Sequence, residues 1–141
     1  MGSFLDGGGD LFISSQDYFF DRGQVLTAFM SNYLGVGSAT NDVGQATATG
    51  AGTPFSGLGP YTLSYPFINH SDALHPTGSA EVAFTGDQGS AGVDKAYGKY
   101  HTAYLGFPFE ALPSAAARVQ VMRAFLNWCF KRIFMPVISR P

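Results

Sequence analysis

The spacing of hydrophobic positions changes several times along the chain, and each change marks an element. Leu11, Phe12 and Ile13 form an unbroken apolar run between Gly7, Gly8 and Gly9 on one side and Ser14, Ser15, Gln16 and Asp17 on the other. Such a run reads as a strand covered on both faces, which places it in a parallel sheet with helices to either side. Ligands of open α/β sheets bind beyond the carboxyl ends of strands, so the polar cluster after Ile13 is the first place to look for chemistry. Between Gln24 and Leu34 the period lengthens: Leu26, Phe29, Met30 and Tyr33 recur at i, i+3, i+4 and i+7, which predicts a helix ended by Gly35. Phe4, Leu5 and Asp6, ahead of the three glycines, read as the last turn of a helix.

Further on the pattern shortens again. From Gly37 to Gly59 only a weak alternation between Val43 and Thr49 stands out, the trace of an edge strand, and Tyr61, Leu63 and Tyr65 alternate between Pro60 and Pro66 as a second short edge. Asn69 to Gly78 is a polar loop carrying His70 and His75. Ala80–Phe84 and Gly92–Tyr97 read as a meander turning through Gly86 to Ser90, and Tyr100–Leu105 as the next strand. Pro108 and Pro113 then bar regular structure around Glu110. Ala115, Val119, Met122, Leu126, Cys129 and Ile133 fall at steps of four and three, predicting a final helix on the sheet with Ser114 as its N-cap. Pro136 ends that pattern, and 136–141 read as a loose tail of a single domain spanning 1–141.

Composition narrows the partners. The formal charge is −2 and charged residues make up 13% of the chain, so there is no basic field for nucleic acid. No apolar run reaches the ~18 residues of a membrane span, and the basic-then-apolar order of a signal peptide is absent. One cysteine, Cys129, makes no internal disulfide and falls in the helical pattern as a packed thiol, leaving the compartment open. With 18 glycines and 13 phenylalanines beside so few charges, the surface is built from Ser, Thr, Gly, Asn and Tyr, a style common in exported bacterial proteins.

The order of strand, SSQD, helix, meander, strand, GFPFE and final helix resembles the carboxyl-terminal half of class I glutamine amidotransferase-like domains. It is most similar to the non-amidotransferase versions appended to secreted bacterial peptidases and other exported proteins. The residues that carry it are LDGGGDLFISSQDYFFDRG, TNDVGQATATGAGTPFSGLGPYTLSYPF and YLGFPFEALPSAAARVQVMRAFLNW. The resemblance implies a flavodoxin-like three-layer αβα sandwich, truncated at its amino terminus, from an exported parent protein. A sheet cut in this way would expose an edge and an apolar face, so a homodimer that covers them is expected.

The resemblance also implies where catalysis would sit. The family's cysteine nucleophile, flanked by glycines, matches Ser14 or Ser15 here, with neither glycine. Its Phe-His-Pro-Glu turn matches Phe107, Pro108, Phe109 and Glu110, which keeps the glutamate and lacks the histidine. Without that imidazole the ordinary activation of a thiol or hydroxyl fails, so no glutaminase is expected. The reading that follows is a catalytically degenerate accessory or interaction domain.

The residues themselves leave a second class open, a small hydrolase of acyl esters or lactones. Ser14 or Ser15 would be its nucleophile, His101, His70 or His75 its base, and Asp17, Asp72 or Glu110 the orienting carboxylate. Gln16, Tyr18, His70, His75 and Phe107 are the candidates to line the substrate. A calcium-polarised water is the other route: Asp10, Asp17 and Asp21 offer oxygen ligands of the kind calcium accepts, beside the plainer reading of solvated turns. The His70 and His75 loop matches no familiar zinc cage.

Overall fold

The computed structural model describes residues 1–130. Its main sheet has six strands in the order β1-β8-β7-β6-β3-β4: β1 (Leu11–Ser14), β8 (Tyr100–Leu105), β7 (Gly89–Tyr97), β6 (Ala80–Gly86), β3 (Thr47–Gly50) and β4 (Tyr61–Thr62). A ribbon of β2 (Val36–Thr40) and β5 (Ala73–Pro76) forms a separate two-stranded sheet. Helix α1 (Gly2–Asp6) ends at Gly7, as the sequence predicts, and α2 (Ala115–Phe130) closes the described chain. This is a mixed α/β fold of flavodoxin-like type, in which β1 and β8 are the one parallel pair of the main sheet.

Two cores sandwich the sheet. On one face Phe12, Phe84, Leu105, Phe107 and Phe55 pack under α2; on the other Leu11, Ile13, Val93 and Tyr104 meet Met30, Leu34, Val36 and Leu74. Residues of β8 alternate between the cores, and all six are buried, His101 and Thr102 included, so the strand is covered on both faces. β1 is half-buried along its length, since it pairs with β8 alone and its other edge has no strand among the described residues.

Several elements depart from the sequence pattern. The helix expected from Gln24 begins only at Ala28, and its last five residues, Met30–Leu34, are π-helical. Gly23 and Gln24 adopt φ of 69° and 58° and close the preceding 3₁₀ turn, so residues before Thr27 cannot join the helix. The Thr27 hydroxyl accepts from the Met30 N–H at 3.2 Å, and Gly35, with φ 75°, ends the helix as expected. The meander strands run to a two-residue turn at Asp87 and Gln88, tighter than the sequence predicts.

On α2 the buried face is Ala117, Val121, Phe125 and Cys129, whereas Val119 and Leu126 are exposed. Of the expected stripe, Cys129 is buried and Met122 packs partly against the core, whereas Ala115, Val119 and Leu126 face outward. Ile133, its last member, lies outside the described residues, as does the 136–141 tail. Aromatic bulk sets the rotation: Phe125 packs edge-on against Phe12 at 5.3 Å, and Trp128 lies 4.2 Å from the His101 ring. Ser114 does cap the helix, its hydroxyl accepting from the Ala117 N–H at 3.1 Å. No helix among the described residues is long and apolar enough to cross a membrane.

Candidate functional site

At the carboxyl end of β1 the chain turns sharply, and the turn is made by the serines. Ser14 donates its hydroxyl to the Phe107 carbonyl at 2.7 Å. Ser15 accepts from the N–H groups of Asp17 and Tyr18, both at 3.1 Å, while its own N–H bonds to the Leu105 carbonyl. Both hydroxyls are thus engaged with backbone, the usual work of serine at a strand end.

Gln16, buried behind that turn, connects it to the loop before β5. Its amide donates to the Ile68 carbonyl at 3.1 Å and its carbonyl accepts from the His70 N–H at 3.2 Å. The loop is held from within as well: Asn69 accepts from the Ser71 hydroxyl at 2.6 Å and donates to the Gln45 carbonyl at 3.0 Å, and Ser71 accepts from the Gln45 N–H at 2.7 Å. These bonds present His70 beside Asp42, with Nδ1 3.0 Å from the carboxylate and both side chains about half exposed, 47% and 50%. Among the described residues Nε2 has no hydrogen-bond partner. Gln16, Asp17, Phe20, Asn41, Asp42 and His70 line a cleft of about 280 Å³.

Behind the cleft lies Asp72, fully buried. One of its oxygens accepts from the Asp42 N–H at 3.1 Å; the other has no partner among the described residues. Burial pushes this carboxyl up to about 7, and the charges of Asp17 and Asp42 push the same way against that hydrogen bond. The buried Tyr104 hydroxyl also has no hydrogen-bond partner among the described residues, and burial, then the Asp72 charge, raises it well above the ordinary phenol range.

The sequence-derived candidates separate under this geometry. Gln16, Asp17 and His70 come together at the cleft. His101 does not: it sits opposite Asp10 at the start of β8, four positions before Leu105, the partner of Ser14, or about 13 Å along the strand. A triad of Ser14 or Ser15 with His101 is not assembled, and Glu110 is exposed on the 3₁₀ turn Phe109–Ala111. Asp10 and Asp17 flank opposite ends of β1 and cannot share a calcium ion, and Asp21 lies in the 3₁₀ turn Phe20–Arg22. Phe107 is core, edge-on to Phe84. Tyr18 packs edge-on against Tyr104 with the Arg22 guanidinium over its ring. His75 is exposed on β5, away from the cleft lining. Sequence reasoning missed Asp42 as the partner of His70; its one local signal is the Asn41-Asp42-Val43-Gly44 turn, where Asp42 takes φ 57°.

No protein-family model and no curated protein matches the chain. Among solved structures, a cytoplasmic protein of Salmonella typhimurium matches with a TM-score of 0.61 at 15% identity, over 90% of this chain and 57% of that one. A GMP synthase-like protein of Thermoplasma acidophilum matches with a TM-score of 0.54 at 17% identity, over 93% of this chain and 77% of that one. The fold is class I glutamine amidotransferase-like. The chain spans little more than half of the Salmonella protein. In this amidotransferase-like frame the turn after β8 carries Phe107-Pro108-Phe109-Glu110 with no histidine, and the turn after β1 carries serines bonded to backbone.

Proposed function

We propose that this chain is a catalytically degenerate amidotransferase-like accessory domain of an exported bacterial protein, with its ligand site in the cleft beyond β1. The observation that carries this reading is the state of Ser14 and Ser15: neither hydroxyl meets an imidazole, and each is hydrogen-bonded to backbone. The cleft's chemistry favours a hydroxyl-rich ligand such as a glycan. Gln16, Asp17, Asn41, Asp42 and His70 offer planar polar groups, and the exposed Phe20 and Phe67 flank them with apolar faces on which a sugar ring stacks. The open edge of β1 supports a homodimer as the state in which the domain works. Sedimentation tests that part, since a monomer at micromolar concentration removes it.

One observation favours a second reading, hydrolysis of an ester or lactone. The Asp42 carboxylate holds His70 by Nδ1, leaving Nε2 to act as general base on a water in the cleft. The decisive experiment is hydrolysis of a short-chain chromogenic ester and an acyl lactone, with and without a calcium chelator, beside Ser14→Ala, Ser15→Ala and His70→Ala. The accessory domain gives no turnover in any lane, and oligosaccharides shift the amide resonances of Gln16 and His70. Turnover lost in His70→Ala establishes the hydrolase and refutes the accessory reading.

A further inference from the structure

The amino-terminal end of β1 gathers three groups that the cleft does not use. The β1–β8 register sets Leu11 opposite Thr102, which brings Asp10 beside His101. Cys129, on the buried face of α2, meets them from above the sheet, and one donor atom from each of the three lies within 4.8 Å of the other two. Asp10 Oδ1 accepts from the His101 backbone N–H at 2.7 Å and lies 3.2 Å from the ring Nδ1. The Trp128 ring packs on the imidazole with centroids 4.2 Å apart. His101 and Cys129 are 6% and 5% exposed.

We propose that Asp10, His101 and Cys129 form a binding site for a zinc-like divalent cation. The donor set argues for it first. One carboxylate oxygen, one imidazole nitrogen and one thiolate sulfur suit zinc, and they do not suit calcium or magnesium, which demand oxygen ligands. The spacing agrees. With metal bonds of about 2.0–2.1 Å to oxygen and nitrogen, the edge of a coordination tetrahedron is about 3.3 Å. The Asp10–His101 separation of 3.2 Å is already of that length. Edges to a sulfur bonded at about 2.3 Å are about 3.6 Å, so a Cys129 Sγ within 4.8 Å of both donors needs to close by at most about an ångström.

Placement supports it further. The Asp10 carboxylate is fixed by the His101 N–H and the imidazole by Trp128, so two of the ligands are oriented before any ion arrives. On binding, the thiol proton leaves to solvent, and the cation's two positive charges meet a thiolate and a carboxylate beside a neutral imidazole. Where Nδ1 is the ligating atom, the imidazole carries its proton on Nε2. Three protein ligands leave a fourth position for water or a ligand atom.

The test is titration of the purified full chain with zinc and with cobalt(II), followed by metal analysis and absorbance. One equivalent of metal is expected per chain, with a thiolate-to-cobalt charge-transfer band in the near ultraviolet and a zinc-dependent rise in Tm. Cys129→Ser removes the band, and His101→Gln and Asp10→Asn each weaken binding at least about tenfold. Far-ultraviolet circular dichroism establishes that each variant is folded. A wild-type chain with no charge-transfer band overturns the proposal whatever the variants do, and so does a folded Cys129→Ser that binds zinc with wild-type affinity.

Discussion

The two ends of β1 hold the same pair of groups, a carboxylate against an imidazole, in opposite surroundings. Asp10 and His101 are 3.2 Å apart, with side chains 23% and 8% exposed, under Trp128; Asp42 and His70 are 3.0 Å apart and about half exposed on an open rim. The closed pair is built into the packing between β8 and α2. The open pair stands on loops held by Gln16 and Asn69 and faces a cleft. The same pair of groups is thus packed under an aromatic ring at one end and open to solvent on loops beside a cleft at the other.

Substitutions sharpen the contrast. His101→Ala removes one of the two rings packed on Trp128 and takes the imidazole from Asp10, and a loss of about 2–4 kcal/mol is expected in chemical denaturation. Next in size is a pH effect behind the open end. Asp72 is raised from 3.8 to about 7, so the folded chain holds a proton that the unfolded chain gives up. Its contribution to stability is therefore complete below about pH 4 and lost as pH rises through about 7. Asp94, at a cross-strand position opposite Glu81 and raised to about 7 by burial and then by the Glu81 charge, adds to the same decline. Asp72→Asn, which keeps an acceptor for the Asp42 N–H, is expected to raise stability at pH 8 by roughly 1–3 kcal/mol and to flatten the profile between pH 4 and 7. A profile unchanged by the substitution removes Asp72 as its source.

Smaller effects follow at the rim. Gln16→Ala severs both ties between the β1 turn and the His70 loop, at an expected cost of about 1–2 kcal/mol, with hydrogen exchange faster in residues 68–71. His70→Ala is expected to cost under about 1 kcal/mol, because the pair it breaks is exposed. If His70→Ala destabilises as much as His101→Ala in parallel melts, the two ends are not different in kind.

What the sequence made legible was mostly local. Tyr100–Leu105 is a strand end to end, Gly35 and Ser114 bound their helices, and Gln16 and His70 reach the cleft. What it concealed depends on packing between distant segments. The outward turn of Val119 and Leu126 follows from Phe125 and Trp128 meeting Phe12 and His101, which no spacing within α2 reveals. β2, with Gly37, Ser38 and Ala39 at its centre, has too little hydrophobic contrast to read as a strand, and β5 is hidden inside a polar stretch with it. The separation of His101 from the serines is a matter of register: Asp10 and Ser14 lie four residues apart in sequence at opposite ends of one strand. Asp42 reaches His70 across 28 residues through a turn that its own φ of 57° sets.

The most direct test of a cleft that binds without a serine nucleophile is labelling with a serine-reactive fluorophosphonate, read by peptide mass spectrometry. The expected result is no adduct on Ser14 or Ser15, whose hydroxyls are engaged with backbone. A stoichiometric adduct on either serine, lost when that serine becomes alanine, contradicts it.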